Sequence, residues 1–281
     1  MSGSRPAWPE RSGRPAWPER SGSLLGFRHK RVQRVRRLLS QATYRRSERA
    51  FVVEGTKLVG EALEAGAALE GVYATAGALG HPVVQEAATA GVRVFGLGPG
   101  VLERVTDTVT PQPVLAVAAM ADVPLGELEG STLIVICADV RDPGNLGTVL
   151  RSAEASGAGA VICCEGTVDV YNPKCVRASA GSVFHVGLVA GGEVLEVLEQ
   201  VGAWGMRRLG TSAEGGDPYT SVDLTAPTAL VLGNEAHGLP ETVQGSLDGV
   251  VTIPMVGRSE SLNVGMAAAV LCFEAARQRR L

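Results

Sequence analysis

From Phe51 to Ala119 the chain alternates short apolar runs with amphipathic stretches. Phe51–Gly55 reads as a strand entering a turn and Thr56–Glu64 as a helix. Leu69–Ala74, Val92–Phe95 and Val114–Ala119 read as strands, with helices at Pro82–Ala90 and Pro99–Val105 between them. Ahead of this, Val32, Val35, Leu38 and Leu39 recur at helical spacing beside Arg31, Arg34 and Arg37, which predicts a basic helix from Leu24 to Gln41. A second alternation starts at Thr132–Ala138, a continuous apolar run of the kind found in buried parallel strands. Further strands are expected at Ala160–Cys164, Val183–Val189, Arg207–Gly210, Thr228–Leu232 and Val250–Pro254. Helices are expected at Asn145–Ser156, Glu193–Val201 and Val264–Gln278. The pattern predicts two α/β domains, at 23–120 and 131–281, joined by a linker at 121–130 that holds Pro124 and Gly126.

Residues 5–22 repeat Arg-Pro-Ala-Trp-Pro-Glu-Arg-Ser-Gly twice, and the prolines forbid a helix there. Residues 1–22 therefore read as a disordered basic tail, although Trp8 and Trp17 with neighbouring arginines have the chemistry to stack on bases.

Charge sharpens this division. The first fifty residues hold 13 of the 26 basic side chains against three acidic ones, a net of +10. The remainder nets −13, so a basic head on an acidic body points to a polyanionic partner met mainly through one region. Aromatics make up only 4% of the chain, which leaves an aliphatic core. No apolar run reaches the roughly 18 residues of a membrane span, and no signal-peptide core is visible, so a cytoplasmic protein is expected. The cysteines at 137, 163, 164, 175 and 272 are odd in number, lack CxxC spacing and read as core thiols. The four histidines are scattered, and no metal site is expected.

Three loops at strand ends carry the chemistry, because open parallel sheets bind ligands at the carboxyl ends of their strands. The first, Asp139 to Arg151, has Asn145 where a helix N-cap belongs, glycines at 144 and 147, and Arg151 further along the helix. The second is Gly233-Asn234-Glu235 after an apolar strand. The third runs Ile253-Pro254-Met255-Val256-Gly257-Arg258-Ser259-Glu260-Ser261-Leu262-Asn263 into an Ala-rich helix. Either of the first two alone is compatible with an ordinary strand–turn–helix join, whereas the Pro-Met-x-Gly entry and Ser-Leu-Asn exit of the third are more than an ordinary helix needs and point to a held ligand. None is a GxGxxG or Walker loop, and no GxSxG elbow is present.

Taken together, in order and spacing, the three segments resemble motifs one to three of the SpoU (TrmH-like) RNA 2′-O-ribose methyltransferases of the SPOUT superfamily. The resemblance covers about 131–281. Residues 27–120 resemble the small substrate-binding domain of ribosomal-RNA members. The resemblance implies a parallel α/β sheet with a C-terminal trefoil knot, S-adenosylmethionine as cofactor and a homodimer. It implies adenine held by backbone near Thr211, Gly233, Ile253 and Leu262, with Met255, Ser261 and Asn263 lining the same pocket. Arg151 would be the central catalytic residue, with Asn145, Glu235, Ser261 and Asn263 around it. RNA contacts would come from Arg31, Arg34 and Lys57 in the first domain and from Arg141, Lys174 and Arg177 in the second. The implied reaction is methyl transfer to a ribose 2′-hydroxyl, in 23S rRNA because a separate substrate domain is present. The alternatives are a transfer-RNA substrate and a non-catalytic RNA-binding or ribosome-assembly factor of the same fold.

Overall fold

The computed structural model describes residues 24–106 and 110–280. These form two compact units. One comprises residues 24–121 together with Tyr171–Arg177, and the other Asp122–Val170 with 178–280. The tandem repeat and its tryptophans lie outside the described residues.

The N-terminal unit runs α1 (Lys30–Ser40), α2 (Ala42–Glu48), β1 (Ala50–Glu54), α3 (Thr56–Glu64), β2 (Leu69–Thr75), α4 (Pro82–Thr89), β3 (Val94–Leu97), α5 (Leu102–Val105) and β4 (Val114–Ala119). Its sheet has the order β1-β4-β2-β3, antiparallel except for the β2–β3 pair. The basic helix begins six residues later than the periodicity predicts. Leu25 instead bridges to Leu97, its N–H donating to Gly96 O at 2.7 Å, and His29 Nδ1 caps the helix by accepting from the Arg31 N–H. Val32, Val35 and Leu38 then bury their side chains against Val52, Leu115 and Val117 of the sheet. Each such burial stabilises by about 1.5–3 kcal/mol. The short α2 is absent from the sequence reading. It presents Arg45, only 2% exposed, whose guanidinium donates to Leu38 O (2.7 Å) and Leu39 O (3.3 Å) at the end of α1. The last carbonyls of α1 thus gain a cationic cap.

The C-terminal unit runs β5 (Leu133–Cys137), α6 (Pro143–Ser156), β6 (Ala160–Cys163), α7 (Pro173–Ala178, largely grouped with the N-terminal unit), β7 (Gly187–Ala190), α8 (Val194–Ala203), β8 (Arg207–Ser212), β9 (Asp217–Pro218), β10 (Thr228–Leu232), α9 (Glu241–Gln244), β11 (Gly249–Thr252) and α10 (Val264–Arg279). All seven strands are parallel, in the order β7-β6-β5-β10-β8-β11-β9. Every residue of β5 and β10 is buried, which their unbroken apolar sequences require. The run Val183–Val189, read as a strand, is instead a 3₁₀ turn at Ser182–Phe184 followed by β7. The buried Val183 and Phe184 fill the core from that turn, and a short apolar run does not distinguish the two. Strand β9 is a two-residue edge containing a proline, which periodicity cannot register.

Helix α10 is tied to the segment before β10. Gln278 donates to Val222 O and accepts from the Leu224 N–H, while Arg279 donates to Leu224 O, Ala226 O and Thr132 O. Near the C-terminus, the Arg277 hydrogen bond holds the Glu274 carboxyl down at about 2. The Arg208 guanidinium does the same for Asp248, also about 2. Both carboxyls are ionised more readily in the folded chain than in the unfolded one. Their stabilisation is therefore complete above the ordinary carboxylate range and lost as pH falls from about 4.5 toward 2. Thermal midpoints should stay level from pH 7 to 5 and then drop, with a smaller drop in Arg208→Met. An equal acid response in that variant would contradict the assignment.

Candidate active site

Because β10 lies beside β5, in the register Leu232↔Cys137, the chain leaves both strands at adjacent points of one sheet edge. Two loops far apart in sequence are thus forced together. The Glu235 carboxylate accepts from the backbone N–H groups of Arg141 and Asp142, both at 3.1 Å, and from Asn145 Nδ2 at 2.9 Å. Asn145 Oδ1 in turn accepts from Asn263 Nδ2 at 2.8 Å. Asn263 caps α10, its Oδ1 receiving the Gly265 and Met266 N–H groups. One carboxylate and two amides thereby join all three loops. Burial alone would raise the Glu235 carboxyl. The hydrogen bonds from Asn145, Arg141 and Asp142 outweigh it and hold the group below its ordinary value, so it is an acceptor at neutral pH.

One expectation is corrected. Asn145 is not the N-cap of α6. Asp142 is, with Pro143 at the first helical position and the Asn145 N–H donating to Asp142 Oδ1 at 2.9 Å. This frees the Asn145 side chain to bridge Glu235 and Asn263. The Asp-Pro pair was the available signal in the sequence for this start.

Two further residues were missed. Asp139 sits in the left-handed region at φ +70°, an uncommon place for a residue with a Cβ. Its carboxylate accepts from Asn234 Nδ2 at 3.1 Å and pairs with Arg141. Its N–H donates to Thr167 Oγ1, which itself donates to Cys137 O. Asn234 also donates to Asp139 O and accepts from the Ala236 and His237 N–H groups. Asp139 and Asn234 thus clamp the first two loops from beneath, as strained residues at sites often do. Gly233 is required by the same turn. A Cβ there would meet the backbone of Gly238 at 2.4 Å and of Leu239 at 2.7 Å.

The other expected site residues take varied positions. Arg151 is exposed on α6, and no hydrogen bond or ion pair joins its side chain to any described residue. Ser261 and Leu262 are exposed beside Asn263 without joining its network, and Met255 and Ile253 are half-buried. Thr211 donates to Val231 O at 3.2 Å. Thr211 lies near the end of β8, and Gly233 and Ile253 directly follow β10 and β11, so all three share the sheet edge carrying Glu235. Backbone groups of residues 253–262 make no hydrogen bond to any described residue, which leaves a run of donors and acceptors along that edge. Among the RNA candidates, Arg34 is held by Glu48 and Glu70 at 2.8 and 2.6 Å, and Arg177 by the buried Glu54 at 3.1 Å. Arg31 lies over the Phe95 ring, and Lys57 and Lys174 are exposed. The five cysteines are buried thiols outside any disulfide, and burial pushes Cys164 and Cys272 up to about 12. No group of three or more His, Cys, Asp or Glu suited to a metal occurs among the described residues. Among them, no helix is long and apolar enough to cross a membrane.

Comparison with known proteins places these features. Residues 132–273 match the SpoU rRNA Methylase family, and residues 29–116 match the MRM3-like substrate binding domain. The chain is 32% identical over 223 residues to the 23S rRNA (guanosine(2553)-2'-O)-methyltransferase RlmP of Bacillus subtilis, covering 79% of this chain and 87% of that protein. It is 41% identical over 142 residues to the 23S rRNA (uridine(2479)-2'-O)-methyltransferase of Streptomyces viridochromogenes, about half of each chain. The crystal structure of the SpoU methyltransferase AviRb from that organism, in complex with the cofactor AdoMet, superposes with a TM-score of 0.81 at 31% identity. The match covers 90% of this chain and 99% of that one.

Proposed function

Since this chain belongs to the SpoU rRNA methylase family, we propose that it transfers a methyl group from S-adenosylmethionine to a ribose 2′-hydroxyl of 23S rRNA, in the cytoplasm. The observation that carries the reading is the Glu235–Asn145–Asn263 bridge. It joins the three motif loops at one edge of a parallel sheet. Relatives that act on 23S rRNA, and a like-folded protein bound to AdoMet, support both substrate and cofactor.

The residues present suit the cofactor. The unbonded backbone of 253–262, with Thr211, Gly233 and Ile253 at the strand ends and Leu262 just before α10, offers donors and acceptors to an adenine edge, and Met255, Ser261 and Asn263 belong to the same stretch. S-adenosylmethionine supplies an activated methyl group, so the chain's own task is to align a ribose oxygen and stabilise the charge it develops. Asn145, Glu235 and Asn263 hold the loops in place. Arg151 carries a guanidinium that no described residue neutralises. A guanidinium is not deprotonated in proteins, so this side chain acts as a cation toward the developing alkoxide and the adjacent phosphate, not as a base. Lys174 serves as a further phosphate contact, whereas Arg141 and Arg177 are already paired with Asp139 and Glu54. Arg151→Ala should lower the rate of transfer at least about 100-fold. Calorimetry should show S-adenosylmethionine affinity within about twofold of the parent. Parental turnover in Arg151→Ala would remove Arg151 from the mechanism.

The same proposal includes a trefoil knot and a homodimer. β11 lies beyond β8, yet Asn263 bonds to Asn145 after β5, so residues 253–262 cross back past β8 and β10. The preceding connection, through β9 to β10, is the loop such a thread would pass. Stretching the chain by both ends should leave an irreducible length if the knot is present. Along α10, Met266 and Phe273 are 57% and 50% exposed with Val270 between them, an apolar stripe suited to a second copy. Sedimentation should give twice the chain mass, and a monomer at micromolar concentration would count against it.

A further inference from the structure

We propose that Arg36, Arg37 and Arg104, set on the rings of Phe27 and Tyr44, form a docking site for the phosphate backbone of the RNA substrate. The inference deepens the reading above and rests on it. It differs from the expectation that Arg34 serves this role.

The arginines of the basic head divide into two groups. Arg34 is already neutralised by two carboxylates, and Arg45 is buried on the carbonyls ending α1. Both maintain the fold. Arg36, Arg37 and Arg104 are exposed, and among the described residues no carboxylate pairs with any of them. Helix α1 itself contains no acidic residue.

These free guanidinium groups are placed by aromatic rings. Arg104 lies 3.8 Å from the centroid of Phe27, and Arg36 lies 5.7 Å from the same ring. Arg37 lies 5.6 Å from the Tyr44 centroid. Gln33 Nε2 donates to Phe27 O at 2.6 Å and fixes the segment that carries the shared ring. A guanidinium over a ring face uses its plane in the contact and keeps its N–H edges for a phosphate. Part of the rotamer entropy that an extended arginine loses on binding is then already lost in the free protein. A cluster held this way suits a strand whose charge repeats regularly. Base identity plays no part in such contacts, so the surface would position the RNA while the sheet edge selects the ribose.

The test uses the full chain and transcribed 23S rRNA, with affinity read by fluorescence anisotropy across a range of KCl. Arg36→Glu/Arg104→Glu should bind at least about tenfold more weakly, and Arg36→Ala/Arg104→Ala less severely so. The slope of log affinity against log salt should fall by about one for each phosphate that is no longer neutralised. S-adenosylmethionine affinity and the thermal midpoint should match the parent, which excludes unfolding. Arg34→Ala should keep the parent's slope. Parental affinity and slope in both double variants would overturn the proposal. If the parent binds RNA but transfers no methyl group, the enzymatic reading fails, while the anisotropy result still decides this surface.

Discussion

Replacing Asn145 with Asp should abolish most methyl transfer at pH 7.5 and restore part of it near pH 5.5. Asn145 donates to Glu235 at 2.9 Å and accepts from Asn263 at 2.8 Å, so it is the one side chain shared by all three loops. In the variant the donor becomes a carboxylate oxygen facing another carboxylate. Two such groups cannot both stay ionised at that distance. Glu235 is held ionised by the Arg141 and Asp142 N–H groups, so a proton taken up by the pair settles on the introduced carboxyl. That proton restores the donor. The expected loss at pH 7.5 is at least about 100-fold, equivalent to about 2.7 kcal/mol of barrier. Parental activity at pH 7.5, or a loss that acid does not relieve, would show that the bridge does not organise the site.

Gly233→Ala should be the most damaging single methyl group in the C-terminal unit. The atoms it would strike, Gly238 C and O and Leu239 N, are all backbone. The turn holding them is closed by paired bonds between Asn234 and Gly238, at 3.0 and 2.9 Å. No rotamer change relieves such a contact. Overpacking of this kind costs about 3 kcal/mol or more, a drop of roughly 5–10 °C in that unit's thermal midpoint. The displaced turn carries Glu235, so transfer should fall at least about tenfold beyond any effect of unfolding. Scanning calorimetry and initial rates at low temperature separate the two effects. A variant with parental midpoint and rate would mean that the turn gives way easily.

What the sequence made legible follows from how local each signal is. Strands β5 and β10 announce themselves because burial on both faces demands apolar residues throughout. Helix α10 does so because small and apolar residues run from Val264. The three loops were visible as polar segments at strand ends. Their convergence was not, because Asn145 lies 90 positions from Glu235 and 118 from Asn263. Only family resemblance joined them in advance. The strand order that enforces the meeting places β10 between β5 and β8, which no local pattern encodes. Asp139 was passed over because its left-handed backbone arises from contacts with Asn234 and Thr167. Arg34 reads as an RNA contact in the sequence, but the fold sets Glu48 and Glu70 beside it. Charge counted along a chain cannot say which cations are already paired.

Methylation of a ribose 2′-oxygen in 23S rRNA is tested most directly on the purified protein. The protein and S-adenosylmethionine are incubated with unmodified 23S rRNA, followed by alkaline hydrolysis and mass spectrometry. A 2′-O-methyl group removes the hydroxyl that cleaves the neighbouring phosphodiester, so a single alkali-resistant dinucleotide carrying one added methyl is expected. Complete hydrolysis to mononucleotides, with no methyl gained or with the methyl on a base, would contradict the account.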